Sequence, residues 1–206
     1  MTQELTKLQY ALLGDIHSST DDLEAVLKHI VKEAPHATLI GTGDLYECTV
    51  SKKNLNGQIY PKVADVIKQP VGFDKHISFP SVYGNQEERI LLLTEQSEPL
   101  RDSLLQLPEI ICIDEASVIH GHQWHPDERT AWLDEHFPEA TIIFHGHTHR
   151  SSYTQDGKTV ELPKDGIVTL LGKRHVINVG AVVESKEWVL FDTEKQTVRF
   201  MQVTKG

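Results

Sequence analysis

QYALLGDIHSSTDDLEAVLKHIVKEAPHATLIGTGD, residues 9–44, decides the fold class. Its first part is a run of apolar residues ending in Gly14-Asp15, the pattern of a strand buried on both faces. Leu23, Val26, Leu27, Ile30 and Val31 then recur at helical spacing, with Thr20 as the expected N-cap and Pro35 just beyond the end. ATLIGTGD is a second buried strand, ending in Gly43-Asp44. Strand, helix, strand in this order is a βαβ unit, and its two strands are expected to pair in parallel.

Outward from this unit, residues 45–80 are less regular. NLNGQIY reads as loop, PKVADVIKQ as a short helix, and ISFPSVYGN as a third strand ending at Gly84-Asn85. QEERILLLTEQ and EPLRDSLLQL follow as helices. The second half is richer in strands. IICIDEASVIHG reads as two short strands around Asp114-Glu115, PDERTAWLDEHF as a helix with Pro126 in its first turn, and TIIFHGH as another strand. SSYTQDGKTVEL carries a hairpin signal at Asp156-Gly157, and KRHVINVGA, KEWVLFD and TVRFMQV read as strands. No repeat, low-complexity segment or linker divides the chain, so one domain over residues 1–206 is expected.

Composition narrows the function classes. The 206 residues are 39% hydrophobic and 24% charged, as in ordinary globular proteins. Cys48 and Cys112 form no pattern, which suits a reducing compartment. With no basic segment leading into an apolar stretch at the N-terminus, a cytoplasmic location is expected. No apolar run approaches the ~20 residues that cross a bilayer, so no membrane partner is expected. A formal net charge of −10 is unfavourable for general nucleic-acid binding. A small phosphorylated substrate remains compatible with it, because bound metal ions invert the local field.

Polar residues gather where strands end. GDIH, GTGD, YGN, SVIHGH and FHGHTH each close an expected strand, and ligand sites of open α/β sheets collect at such carboxyl ends. They offer Asp15, His17, Asp44, Asn85, His120, His147 and His149. Asp15 and His17 are two residues apart and face one way in an extended chain, as do His147 and His149. Carboxylate, imidazole and amide oxygen suit Zn²⁺, Mn²⁺ or Fe. Seven donors are too many for one such ion and enough for two if a carboxylate bridges them. Six of the twelve histidines lie in HGHQWH and HGHTH. A Gly-Asp or Gly-Asn alone is usually a turn; five such signatures in order at strand ends are not explained that way. Nothing matches a Walker loop or a dinucleotide-binding glycine turn.

These signatures resemble the calcineurin-like metallophosphoesterases, whose motifs run D-x-H, G-D-x-x-D, G-N-H-[DE], a later His, and G-H-x-H. Here they read GDIH at 14–17, GDLYE at 43–47, GNQE at 84–87, HGH at 120–122 and GHTH at 146–149, and the likeness spans roughly residues 10–180. INVGAV at 177–182 is similar to a glycine-bearing strand of small bacterial members. The resemblance implies an α/β fold of two facing mixed β-sheets flanked by helices, a four-layer α-β-β-α sandwich. It implies two divalent ions, of Mn, Fe, Zn or Ni. One would be held by Asp15, His17, Asp44 and His149, the other by Asp44, Asn85, His120 and His147. Such a pair acidifies a shared water and neutralises phosphoryl charge, which implies hydrolysis of a phosphodiester or small-nucleotide ester.

Two positions depart from the family pattern. Glu47 replaces an Asp. Gln86 stands where most members carry a proton-donating His, and an amide donates a hydrogen bond but no proton. His122 is the preferred substitute donor, His125 the next; either is otherwise a supporting or surface histidine. Asn85 and Arg150 are candidate substrate-phosphate contacts. His145 matches no ligand position and is expected to be a strand-end residue with a backbone partner. Asp21 and Asp22 read as first-turn helix acids. A phosphoesterase fold kept as a binding or scaffold module, or as a metal-dependent regulator, is the competing reading. Gln86 favours it and the complete donor set opposes it.

Overall fold

The computed structural model describes residues 8–55 and 57–204. The opening strand, β1, is Gln9–Leu13. Helix α1 (Thr20–Glu33) leads to β2 (Thr38–Gly41), which pairs with β1 in parallel, Tyr10 opposite Thr38. The helix is capped by Ser19 rather than Thr20: the Ser19 carbonyl accepts the N–H of Leu23, and its hydroxyl donates to Asp22. Asp22 does more than favour the helix dipole. It also accepts the N–H of Glu184 and pairs with Lys186 at 2.7 Å, tying α1 to a loop of the second half.

Two expectations fail in the next segment. PKVADVIKQ forms one 3₁₀ turn, Val63–Asp65, followed by strand β4 (Ile67–Lys68), which pairs with β3 (Glu47–Cys48). Val63, Val66 and Ile67 mimic helical spacing, yet a single turn is enough to bury all three. ISFPSVYGN runs beside β2 but makes only the bridge Gly41–Ser81. Pro80 lacks an N–H, and its carbonyl accepts from Gly41. The loop expected at residues 54–60 includes Asn56, which lies outside the described residues, as do residues 1–7 that were read for a leader.

Helices α2 (Asn85–Leu93) and α3 (Pro99–Leu105) come next. Strands β5 (Ile110–Ile113) and β6 (Ala116–Ile119) form the expected hairpin. Helix α4 (Arg129–His136) follows a 3₁₀ turn opened by Pro126. Then come β7 (Ile142–His145), β8 (Ser152–Gln155), β9 (Lys158–Val160), β10 (Ile167–Thr169), β11 (His175–Asn178), β12 (Glu187–Asp192) and β13 (Thr197–Gln202). One sheet has the order β10-β13-β12-β1-β2, the other β5-β6-β7-β11-β8-β9. Both are mixed: β1 and β2, β6 and β7, and β7 and β11 run in parallel.

Alternation along the strands builds the layers. Leu12, Val189 and Phe191 of the first sheet meet Ile142, Phe144 and Ile177 of the second, with the Phe144 and Phe191 rings 5.3 Å apart. Phe144→Ala would empty the middle of this layer, at a cost of about 3–5 kcal/mol. Ala11, Leu13 and Trp188 point the other way, against Leu23, Val26 and Ile30 of α1. On the far side, Ile143 and Val176 pack with Leu133 of α4 and Phe137. The result is the expected α-β-β-α order. Among the described residues, no helix is long and apolar enough to cross a membrane.

Candidate metal centre

Parallel strands end on the same side, so β1, β2, β6 and β7 deliver their following residues to one region. Backbone bonds lock these loops together. Asp15 N–H donates to the Gly43 carbonyl, and Ile16 and His17 both donate to that of Asp44. On the second sheet, Gly146 N–H donates to the His120 carbonyl. A bond across the sheets, from His147 N–H to Asp15 Oδ2 at 2.8 Å, joins the two systems. Asp15, His17, Asp44, His147 and His149 all have left-handed backbone, with φ between 49° and 73°. Such conformations are uncommon outside glycine and persist where the surroundings impose them.

The side chains converge as two groups, each with ligand atoms within 4.8 Å of one another. Asp15, His17 and His149 form the first; Asp44, His120 and His147 form the second. Each group draws on both sheets. Asp44 Oδ2 faces both, 3.6 Å from His17 Nε2 and 3.4 Å from His120 Nε2. Asn85, the first residue of α2, brings its side-chain oxygen to 3.3 Å from His120 Nε2. Asn85 thereby lies beside the second group.

Three observations fit these residues to cations. Asp15 Oδ1 is buried without a hydrogen-bond partner, although the other oxygen of that carboxylate is bonded. His17 Nε2 and His149 Nε2 face each other at 3.1 Å, an arrangement that a shared cation satisfies. Two of the four imidazoles are held from behind: His120 Nδ1 lies 2.7 Å from the Thr42 carbonyl, and His17 Nδ1 contacts the Glu47 carboxylate. Such outer contacts fix the imidazole so that Nε2 points at a metal. Glu47 therefore has a positioning role, one that a side chain a methylene longer than Asp still reaches.

Charge follows the same design. Burial works against ionised Asp44, but the charge and hydrogen bond of His120, the N–H of Gln86 and the charge of His17 together outweigh it and hold the carboxyl below the usual range. Burial likewise opposes protonated His120, and Asp44 overcomes it, raising the imidazole to about 9. A dication held at this pair would take the place of that proton. The Asp15 carboxylate beside it raises His149, whereas burial lowers His147.

The other named residues divide. Gln86 turns its side-chain oxygen away from the groups, to the N–H of Cys48 at 3.0 Å and to Arg89. His122 stays close, its ring 5.3 Å from His120 and 6.3 Å from His147, with Glu88 3.8 Å from Nε2. Burial, aided by the charge of His120, pushes it down to about 4. His125 is exposed beside Asp127, and Arg150 is exposed. His145 has its expected backbone partner, the Gly146 carbonyl at 3.0 Å.

Sequence reasoning missed two supports. Glu87 is fully buried, and its carboxylate accepts the N–H groups of Gly84, Asp44, Leu45 and Tyr46 at 2.8–3.0 Å. Burial and neighbouring Asp44 push its carboxyl up to about 7, while the N–H donors pull the other way. An acid three residues after Gly84, at the head of a helix, was the available signal. Close approach also needs Gly84 itself, where a Cβ would stand 2.2 Å from Asp44 Oδ1. The second support is Asn178, whose amide donates to the Gly146 carbonyl and to Thr148 Oγ1.

The fold and this arrangement define a metal-dependent hydrolase of phosphoric esters. The chain belongs to the calcineurin-like phosphoesterase superfamily, whose domain model matches residues 8–203. Among solved structures it is similar to a metallophosphoesterase from Sphaerobacter thermophilus, at 21% identity over 97% of this chain and 90% of that one, with a TM-score of 0.67. A protein provisionally assigned as a diadenosine tetraphosphatase matches at 18% identity, over 100% and 97% of the two chains, with a TM-score of 0.53. A Thermotoga maritima protein solved by solution NMR matches at 20% identity, over 96% and 99%, with a TM-score of 0.50. No curated protein matches the chain in sequence.

Proposed function

We propose that the protein is a binuclear phosphoesterase acting on a small phosphate ester, with Asp44 shared between two divalent ions. The position of Asp44 Oδ2, facing both donor groups, carries this reading. Asp15, His17 and His149 would complete one ion's donors; Asn85, His120 and His147 would complete the other's. When bound, two dications supply an acidified water and neutralise charge on the phosphoryl group. The protein's own part is to hold Asp44 by one oxygen, fix the His17 and His120 imidazoles from behind, and present Asn85 to the phosphate. His122 is the proposed group beside the leaving oxygen. Burial and the charge of His120 hold it below the usual histidine range, and a phosphate lodged next to it favours its protonation.

Metal analysis of the purified protein, with turnover measured on mono- and diester panels before and after chelation, tests the reading. Two equivalents of metal and chelator-sensitive turnover are expected. One equivalent, or turnover that survives metal loss, would overturn it. Metal with no turnover on any ester would favour the scaffold alternative, which the complete donor set argues against.

A further inference from the structure

Next to the second donor group lies a cleft of about 270 Å³ that the reaction above does not use. It is lined by Gly121, Trp124, Pro126, Arg129, His145, His147 and Thr148, so it shares His147 with the metal centre. Arg129 is half-buried there. Its Nη2 donates to Thr154 Oγ1 at 3.0 Å, and among the described residues no carboxylate lies within ion-pairing distance. In a chain of net charge −10, a half-buried guanidinium without an acid partner leaves most of its five N–H donors to a ligand. His145 gives a second, independent sign. It is 2% exposed and its Nδ1 faces the Gly146 carbonyl, yet its Nε2 is buried with no partner. Thr148 Oγ1 accepts from Asn178, which leaves its own proton free to donate.

We propose that this cleft is an anion subsite that binds a second phosphate of the substrate, with Arg129 as the residue that recognises it. Planar guanidinium and phosphate match in a two-pronged contact, which accounts for an Arg in this place. The hydroxyl of Thr148 adds a donor. The substrate class is then a compound bearing a phosphate beyond the one attacked, such as a nucleoside polyphosphate. This rests on the phosphoesterase reading above.

The test compares KM for a nucleoside triphosphate and for bis(4-nitrophenyl) phosphate in the metal-loaded wild type, Arg129→Met and Arg129→Lys. Arg129→Met is expected to raise the triphosphate KM about tenfold more than the diester KM, the size of a lost charge-assisted hydrogen bond. Arg129→Lys, which keeps the charge, should restore part of the difference. Equal effects on both substrates in both variants would make Arg129 structural and overturn the proposal. So would competition by inorganic phosphate that depends on Arg129 without any preference for the triphosphate, since the cleft would then hold a free anion. If the wild type turns over no ester, the hydrolase reading fails separately. Calorimetric titration with inorganic pyrophosphate then decides the subsite: binding lost in Arg129→Met supports it, and equal binding or none in both proteins overturns it.

Discussion

The backbone N–H of Gln86 donates to Asp44 Oδ1 over 2.8 Å, which leaves Oδ2 of the same carboxylate to face His17 and His120. One oxygen is anchored and the other is available. In Asp44→Asn, keeping the anchor turns an NH₂ group toward the two imidazoles. Metal content should fall at both positions, and turnover should drop at least ~100-fold, the upper end of what outer-contact changes cost. Two retained metals with turnover near that of the wild type would refute the shared-carboxylate assignment.

Glu87 holds the loop that carries Asp44. Its Oε2 serves Asp44 and Gly84, and its Oε1 serves Leu45 and Tyr46. Glu87→Gln sets an NH₂ group against two of these N–H donors whichever way the amide lies. Equilibrium urea unfolding should show a loss of about 3 kcal/mol, with weaker metal binding. An unchanged midpoint would contradict the anchoring role.

Acid stability should depend on Asp192. Burial raises its carboxyl, but Lys195 and Gln9 more than offset this, and the result is about 2. A carboxyl lowered on folding stabilises the protein above its unfolded value and loses that contribution as pH falls through its folded value. Between pH 5 and pH 2, the wild type should therefore lose about 1–2 kcal/mol more than Asp192→Asn, allowing for the exposure of Lys195. Parallel stability profiles for the two proteins would rule this out.

Gln86→His restores the family's usual residue but removes the acceptor for Cys48 N–H. Stability should fall by about 1–2 kcal/mol. If the new ring reaches the phosphate, turnover of alkyl esters should rise more than that of aryl esters, because poor leaving groups gain most from protonation, up to ~10²–10⁴-fold. His122→Ala should show the reverse, a loss that is larger for alkyl esters. Rate ratios unmoved by both changes would remove His122 and position 86 from leaving-group protonation.

The βαβ start was legible because each element carries its own period, and the donor residues because strand ends concentrate polar side chains. Val63, Val66 and Ile67 misled, since burial at helical spacing does not require a helix longer than one turn. The segment around Pro80 misled because apolar residues beside a strand need not complete a ladder. Glu87 and Asn178 were hidden for a different reason. Their work is to satisfy backbone groups, and Glu87 reaches N–H donors about forty residues away in sequence. Only the folded chain brings those partners together.

Each donor group takes residues from both sheets: Asp15 and His17 with His149, Asp44 with His120 and His147. An ion bound there acts as a rivet between two layers that are far apart along the chain. We expect contacts of such long range to form late on the way to the native state, with the rivet absent from the folding transition state. Metal should accordingly leave the refolding rate nearly unchanged and slow unfolding, lengthening the native lifetime. Stopped-flow unfolding with and without metal measures this, and an ion that accelerated refolding instead would mean that the sheet ends meet early.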